Sequence, residues 1–314
     1  MVFRPLAGPE ELDLFCRLSY SLDHELADDL ARGRRRPDWM WVAVRDGRVL
    51  GRISWWTGQA GGDPQALDFF DLDDTLPADE RHAVGAELFR RAAQAVLPEK
   101  REEWPEYGRF VPADWREDPA VRDAVEARTK VLEETGARLL VERLRLEWRP
   151  GTAVPAADGG RLVFRQVRDR EDLLTLMTPV MEGTLDAHGQ ADLARGLSPR
   201  EAAELHYDEE FAHFTSPREW WRIAELADGG EPVGFVVPAR NSYNAIIAYL
   251  GVLPAHRGRG HIDEILAEGT RVLASQEVPR IRAATDLANV PMARAFARGG
   301  YLNFERALNL TWSP

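Results

Sequence analysis

Two glycines and two arginines separate an apolar, strand-like segment from a helix-like one in the stretch YLGVLPAHRGRGHIDEIL, residues 249–266. Glycine lets a main chain adopt positive φ and approach a ligand closely, which favours a ligand at Gly258 and Gly260. A helix that begins directly after such a turn presents unpaired N–H groups and the positive end of its dipole. These features predict an anion site suited to a pyrophosphate, with Arg257 and Arg259 bonding its oxygens. The alternative is a βα turn that uses glycine for its geometry alone.

The elements that position this turn are predicted from apolar periodicity and from breakers. The predicted order in the C-terminal half is β-α-α-β-β-β-α-β-α-β, an α/β plan with a mixed sheet. The helix cap Asp169 and the Ser198-Pro199 pair mark two helix starts, and the segment between these two helices is predicted to be a loop. The predicted strands are 162–167, 220–226, 233–238, 245–252 and 280–285, followed by a final strand or strand pair at 302–312. The predicted helices are 169–181, 198–214, 262–275 and 289–298.

The N-terminal half carries a fainter copy of the same order. Residues 10–31 are predicted to be helical, and an Asp46-Gly47 turn predicts a hairpin of strands 39–44 and 49–56. Further predicted elements are a strand at 66–72, helices at 80–96 and 121–135, and a strand at 138–148. The shared order indicates an internal duplication. The segment Arg149–Gly160 is rich in Pro, Gly and Ala and is interpreted as a linker between domains at 1–150 and 161–314.

The segment Gly251–Gly260, GVLPAHRGRG, resembles motif A of the GNAT family of N-acetyltransferases, whose loop reads Gln/Arg-x-x-Gly-x-Gly/Ala. Ile262 stands where the family usually has Gly or Ala. Downstream, TDLAN at 285–289 and Gly299-Gly300-Tyr301 resemble motif B. The resemblance covers about residues 161–314. It implies two tandem GNAT-like domains, each a mixed, mostly antiparallel sheet flanked by helices.

The resemblance further implies that the C-terminal domain binds acetyl-CoA. In this family the strand before the loop carries a bulge and splays from its neighbour, so that the pantetheine lies in the gap. A main-chain N–H near Val252 would then hold the thioester oxygen, and an amine would attack the thioester directly without a cysteine nucleophile. The cofactor-binding residues implied are Leu250, Gly251, Val252, Leu253, Arg257, Gly258, Arg259, Gly260, His261, Ile262, Asn289 and Phe296.

The catalytic acid and base are less directly implied. Many family members place a Tyr seven residues after the Asn of motif B, as the acid for the leaving thiolate, but this chain has Phe296 there. Tyr301 or water is the candidate replacement. The loop that usually walls the acceptor site contains Glu182, Asp186 and His188, which are the candidate bases. The departure at 296 leaves a second hypothesis, a non-catalytic CoA-binding or sensor protein, and a third is an interaction scaffold without a CoA site.

The N-terminal domain lacks the phosphate loop. Its corresponding segment, DLDDTLPADER at 71–81, is acidic, has no glycine and would repel phosphates. The domain is therefore interpreted as a degenerate copy that serves as support, as a wall of the acceptor cleft or for dimerisation. Its acidic cluster is interpreted as a solvated turn rather than a cation site, and its arginine run as an exposed loop face rather than a contact for the 3′-phosphate. The acidic cluster is Asp68, Asp71, Asp73 and Asp74, and the arginine run is Arg32, Arg34, Arg35 and Arg36.

The amino-acid composition limits the classes of partner and of site that the chain can have. A net charge of −12 argues against nucleic acid and suits a cationic acceptor, such as a small-molecule or peptide amine. Cys16 is the single cysteine, so neither an intrachain disulfide nor a cysteine-based metal site is expected, and no metal is predicted. No stretch approaches the roughly 20 apolar residues of a membrane helix, and the N-terminus has no apolar signal core. The sequence predicts a cytoplasmic monomer or homodimer.

Overall fold

A computed structural model describes residues 1–98, 104–154 and 160–312 of the chain. The chain forms two compact units, the first made of residues 1–141 and 307–314 and the second of residues 142–306. The last residues thus return to the first unit, which the sequence pattern does not indicate. Part of the predicted linker, residues 155–159, lies outside the described residues. Within the described segments, no helix combines the length and apolar character needed to cross a membrane.

The first unit has a sheet in the order β1-β2-β3-β4-β5. The β2–β3 hairpin turns at Asp46 and Gly47, which have φ of +50° and +78°, and this confirms the predicted turn. The elements are β1 (Val2–Pro5), α1 (Leu12–Phe15), α2 (Leu26–Ala31), β2 (Met40–Arg45), β3 (Arg48–Trp56), β4 (Ala66–Leu72), α3 (Ala78–Val96), β5 (Glu106–Pro112), α4 (Pro119–Glu133) and the start of β6 (Arg138–Trp148).

The predicted continuous helix at 10–31 is wrong, because α1 and α2 are separated by a turn. In that turn the side chain of Asp23 accepts a hydrogen bond of 2.9 Å from the main-chain N–H of Tyr20. Such a local side-chain acceptor stabilises a turn at the expense of a helix. Tyr20 itself is buried in the apolar cluster of this unit, so the break also places a core side chain.

The second unit has a sheet that runs β12-β6-β11-β10-β9-β8-β7. Its described pairs β6–β11, β9–β10, β8–β9 and β7–β8 are antiparallel and β10–β11 is parallel, which confirms a mixed, mostly antiparallel sheet. The elements are the rest of β6, β7 (Leu162–Gln166), α5 (Arg170–Met181), α6 (Ala187–Ala194), α7 (Pro199–Glu209), β8 (Arg222–Leu226), β9 (Pro232–Arg240), β10 (Ala245–Val252), α8 (His261–Ala274), β11 (Ile281–Asp286), α9 (Val290–Arg298) and the first half of β12 (Leu302–Thr311). The second half of β12, from residue 307, belongs to the first unit.

Helices cover both faces of this second sheet. Ile265, Leu266 and Leu273 of α8 pack on one face. Leu173 of α5 and Tyr207 of α7 belong to the cluster on the other face. The segment predicted as a loop between α5 and α7 contains the short helix α6. Asp186 caps that helix by accepting a 2.9 Å hydrogen bond from Gly189 N–H. This cap stabilises a helix although the segment also contains the Gly and Pro residues from which a loop was predicted.

Candidate functional site

Strands β10 and β11 pair over two positions and then separate. Their parallel pairs are Ala245 with Ile281 and Ile246 with Arg282. A bulge between Ile247 and Tyr249 shifts the register of β10, which continues to pair with β9 as far as Val252. A wedge-shaped gap therefore opens between β10 and β11, and the predicted bulge and splay are both present.

The main chain of β10 faces this gap at alternate residues. The N–H of Leu253 donates a 2.8 Å hydrogen bond to the carbonyl of Val233, so Leu253 faces β9. Because successive peptide groups of a strand point to opposite sides, the N–H groups of Leu250 and Val252 point away from β9 and into the gap. They are placed to bond a ligand that lies along β10 like an additional strand.

Close packing fixes the strand at Gly251. A Cβ atom built at this residue would lie 2.8 Å from Cγ1 of Val180 on α5. A side chain there would displace the strand or the helix, so glycine permits β10 to lie directly against the end of α5. The strand that borders the gap is therefore held in contact with α5 near the place where its main-chain donors are exposed.

The turn after β10 presents main-chain N–H groups to solvent at the place where the sequence predicts an anion site, and we call this turn, residues 257–262, the anion cradle. Gly258 and Gly260 have φ of +75° and +77°, and α8 begins at His261 without a side-chain cap. Among the described residues, none accepts a hydrogen bond from the consecutive main-chain N–H groups of residues 258–262. A Cβ at Gly258 would meet no atom within 4 Å, so the turn is open to solvent and to a ligand. Unpaired N–H groups at a helix N-terminus are the chemistry of a phosphate site.

The two arginines of the turn are used differently. Arg257 folds back and donates three hydrogen bonds of 3.0–3.1 Å to the main-chain carbonyls of Val180, Glu182 and Val252. The exposed side chain of Arg259 pairs with no carboxylate in the part of the chain that is described. Of the two predicted phosphate contacts, Arg259 is thus the one that is available.

Neighbouring charges keep the cradle from being negative. The first turn of α8 contains Asp263 and Glu264, which would oppose a phosphate. Nη2 of Arg298 lies 2.7 Å from Oδ1 of Asp263, and Nε of Arg161 lies 2.7 Å from Oε1 of Glu264. His261 is buried, and burial together with Arg161 lowers its pKa, so its ring is neutral near pH 7. The positive potential therefore comes from the main chain, the helix dipole and Arg259.

A carboxylate that the sequence pattern did not single out lies at the end of β11, the strand on the other side of the gap. Asp286, the last residue of β11, is 2% exposed. Its Oδ2 accepts a 2.7 Å hydrogen bond from the N–H of Ala187, and Nε of Arg143 lies 3.1 Å from its Oδ1. Burial raises the pKa of Asp286, against the opposing effects of that hydrogen bond and of Arg143. Its position at the end of the strand that borders the gap is the feature from which Asp286 could have been predicted as a functional residue.

Two of the three predicted bases lie beside Asp286. Oδ2 of Asp186 is 3.8 Å from Nη2 of Arg143, the same guanidinium that pairs with Asp286. His188 is half-buried and acts electrostatically on Asp286. Glu182, by contrast, is exposed at the end of α5, where its carbonyl bonds Arg257. The structure therefore brings together a group of two carboxylates and a histidine and leaves Glu182 outside it.

Tyr301 lies in the core of the second unit. It is 2% exposed, its hydroxyl is 2.8 Å from Oγ1 of Thr270, and its ring packs against Phe296 at 5.1 Å between centroids. Burial raises its pKa, which disfavours ionisation. This placement does not bring Tyr301 or Phe296 together with the group at Asp286. Asn289, also predicted in the site, caps α9 by accepting a hydrogen bond from Met292 N–H at 3.3 Å.

The first unit repeats the splay, but an ion pair joins its two splayed strands. Strands β4 and β5 also pair in parallel at two positions, Ala66 with Glu106 and Leu67 with Tyr107. Beyond them, Asp71 is 2% exposed and forms ion pairs of 2.8 Å with Arg52 and Arg109.

Two interpretations of this unit are therefore wrong. Asp68, Asp71 and Asp73 are not a solvated turn, because they pair with arginines in the interior or at its edge. Arg34 and Arg35 are not an exposed face, because they are buried and share the buried carboxylate of Asp29. Charged residues with opposite partners nearby can be buried, and a linear sequence does not display those partners.

Comparison with known proteins agrees with this architecture. The family model described as "Acetyltransferase (GNAT) family" matches residues 190–301. No curated protein sequence is significantly similar to the chain. A GCN5-related N-acetyltransferase from Sphaerobacter thermophilus is similar in structure, with a TM-score of 0.61, 15% identity and coverage of 100% of this chain and 96% of that one. A tandem GNAT protein from the clavulanic acid biosynthesis pathway has a TM-score of 0.50, 18% identity and coverage of 100% and 99%. At these identities the structural matches establish the fold.

Proposed function

We propose that the chain transfers an acetyl group from acetyl-CoA to an amine, because residues 190–301 match the family model of the GNAT acetyltransferases. One observation carries the proposal. Five consecutive main-chain N–H groups, residues 258–262, have no acceptor among the described residues and lie where a helix begins beside two splayed strands.

The residues present fit acetyl-CoA. The N–H groups of residues 258–262 and the side chain of Arg259 supply donors for a pyrophosphate, and the space above Gly258 is open. The donors of Leu250 and Val252 face the gap, where an amide-containing pantetheine arm finds hydrogen-bond partners. The donors for the pyrophosphate and for the pantetheine arm thus lie in adjacent parts of the chain, the turn and the strand before it.

Acetyl-CoA supplies an acetyl group that is activated as a thioester. In this chain the N–H of Val252 is the proposed donor to the thioester oxygen, on which negative charge develops as the amine attacks. A fixed donor of this kind contributes about 3 kcal/mol to the stability of a transition state. No cysteine is needed for this direct route.

We assign the role of base to Asp286. A carboxyl group whose pKa is raised toward neutrality accepts a proton more effectively, and burial acts on Asp286 in that direction. Arg143 and the N–H of Ala187 orient its oxygens, while Asp186 and His188 flank it. The two carboxylates also suit an acceptor that arrives as a cationic ammonium group.

We assign a structural role to Tyr301, because its hydroxyl is bonded to Thr270 in the core. The leaving thiolate, whose conjugate acid has a pKa of about 8.5, then takes its proton from water. The same placement favours the second candidate function, a non-catalytic CoA-binding or sensor protein, since neither residue 296 nor residue 301 offers an acid to the gap.

The test combines binding and turnover. Purified protein is incubated with acetyl-CoA and a panel of primary amines, including aminoglycoside-like compounds and peptides with free N-termini, while thiol release and product mass are measured. The proposal expects amine-dependent thiol release and a product heavier by one acetyl group. Thermal stabilisation by CoA without turnover supports the sensor function instead. Neither binding nor turnover refutes both, and Gly260→Glu, which places a carboxylate in the cradle, is the matched negative control.

A further inference from the structure

Three parts of the second unit meet at the side chain of Arg257. Its Nη2 and Nη1 groups donate to the carbonyls of Val180 and Glu182, and its Nε group donates to the carbonyl of Val252. The first two acceptors are 77 and 75 residues away in the chain. The arginine thereby joins the cradle turn to the end of α5 and to the end of β10.

At α5 the guanidinium acts as a C-terminal cap. The last carbonyls of a helix have no partner within the helix and carry the negative end of its dipole. Arg257 satisfies two of these positions with a positive charge, directly after the helix residue Pro179. The segment that follows, residues 182–186, leads to the acidic group beside Asp286, so the cap fixes where the acceptor wall begins.

At β10 the same guanidinium fixes the residue whose N–H is the proposed oxyanion donor. Val252 pairs with Gly234 of β9, and its carbonyl points to the gap side and is bonded by Arg257. A rotation of Val252 that turned its N–H out of the gap would carry this carbonyl with it and break that bond.

We propose that Arg257 is a positioning residue that aligns the acceptor wall with the thioester-holding strand, and not a phosphate ligand. Its planar fork bonds three carbonyls at once, and turning it toward a pyrophosphate would break all three bonds and leave the end of α5 without its cap. Arg259, two residues further on, makes no such bonds within the described residues, and we assign the phosphate contact to it. Only the activity measurement for this inference rests on the proposed acetyl transfer.

The test uses two acyl donors. Acetyl-CoA carries the phosphates, and acetylpantetheine lacks them. Arg257→Ala is expected to lower kcat/KM at least tenfold and by the same factor with both donors, and to raise the KM of the acceptor amine. Arg259→Ala is expected to lower the preference for acetyl-CoA over acetylpantetheine. Arg271→Ala, which removes an exposed arginine paired with Glu268 on α8, is the control and leaves both donors unchanged.

A phosphate role for Arg257 predicts the opposite pattern, a loss with acetyl-CoA alone, and that result overturns the proposal. Arg257→Lys keeps the charge, but its single nitrogen does not reproduce the fixed fork with which Nε, Nη1 and Nη2 bond three different carbonyls. This variant is therefore expected to retain the affinity for CoA and still to lose turnover. If the wild type turns over neither donor, the proposed function fails and hydrogen exchange decides the inference. Arg257→Ala then speeds exchange in residues 180–188 relative to Arg271→Ala, and unchanged exchange there overturns it.

Discussion

Gly258 allows the anion cradle to be tested without removing any charge. It has φ of +75°, and a Cβ built on it would meet no atom within 4 Å. A Gly258→Ala substitution therefore has two separable effects. It forces an L-residue into the left-handed region, and it places a methyl group beside the unpaired N–H groups. The first effect acts on folding, and the second acts on the ligand only.

The magnitudes of both effects can be worked out. A non-glycine residue in the left-handed region costs about 1–2 kcal/mol. For a unit of this size, 1 kcal/mol corresponds to roughly 2–4 °C in Tm, so a fall of about 2–8 °C is expected. CoA at 100 times its Kd stabilises a protein by about 2.7 kcal/mol. If the methyl group weakens CoA at least tenfold, the same CoA concentration adds only about 1.4 kcal/mol to the variant.

Gly230 supplies the matched control. It lies in the β8–β9 turn of the same unit, has φ of +67°, and a Cβ there also meets no atom within 4 Å. Gly230→Ala should reproduce the loss of Tm and leave the CoA affinity, measured by isothermal titration, at its wild-type value. If Gly258→Ala also binds CoA as tightly as the wild type, the turn does not hold the pyrophosphate and the reasoning is refuted.

Three further substitutions test the remaining assignments. Asp286→Asn should lower kcat about 10²–10⁴-fold, as expected for loss of a general base, and should remove from the kcat/KM profile an acidic limb that lies above the ordinary Asp value of 3.8. An unchanged profile would exclude it as the base. Tyr301→Phe breaks the hydrogen bond with Thr270 and should cost about 1 kcal/mol in urea unfolding with little change in kcat, whereas a large fall in kcat would restore the acid role. The lowered pKa of His261 means that its contribution to stability is complete above its unfolded value of about 6.5 and is lost as pH falls below it. His261→Asn should flatten urea stability between pH 7.5 and 5.5, and an equally steep profile would contradict this.

Local patterns were sufficient for the elements that build the site. The bounds of β10, residues 245–252, follow from its apolar run. The glycines of the turn predict both the positive φ values and the start of α8. These features are local because each depends on residues within one turn or one strand. The resemblance to motif A added the splay of β10 from β11, which depends on a neighbour that the strand's own sequence does not identify.

The directions and partners of the polar side chains were the part that could not be predicted from the sequence. Arg257 belongs to the motif, yet its guanidinium is directed by carbonyls at the end of α5, more than 70 residues away. Asp286 was passed over because its importance comes from Arg143 on the adjacent β6 and from the N–H of Ala187. Tyr301 was predicted as a replacement for the acid that is missing at Phe296, whereas its hydroxyl is directed to Thr270 on α8. Each of these directions depends on tertiary partners that spacing alone does not reveal.

The ion pairs of the first unit explain how a splayed sheet can persist without a ligand. A gap between two strands leaves main-chain and apolar surface unpaired, and in this unit the ion pair of Asp71 on β4 with Arg109 on β5 joins the two splayed strands. Burial raises the pKa of Asp71, but Arg109, Arg52 and Arg128 outweigh burial and hold that pKa below its usual range. The stability that Asp71 contributes is therefore present above its unfolded pKa of about 3.9 and is lost as pH falls through the lower folded value.

Removing this carboxylate tests the interpretation directly. Asp71→Asn leaves buried arginines without their counter-charge and should lower the free energy of unfolding at pH 7 by about 3–5 kcal/mol. Arg109→Met in the same background removes the arginine that pairs with Asp71 at 2.8 Å and should recover part of that loss, because the uncompensated charge disappears. CoA should bind with a stoichiometry of one per chain in the wild type, since the segment at 71–81 of the first unit has no glycine-rich turn. A stoichiometry of two, or an Asp71→Asn variant as stable as the wild type, would show that the ion pairs do not take the place of a ligand.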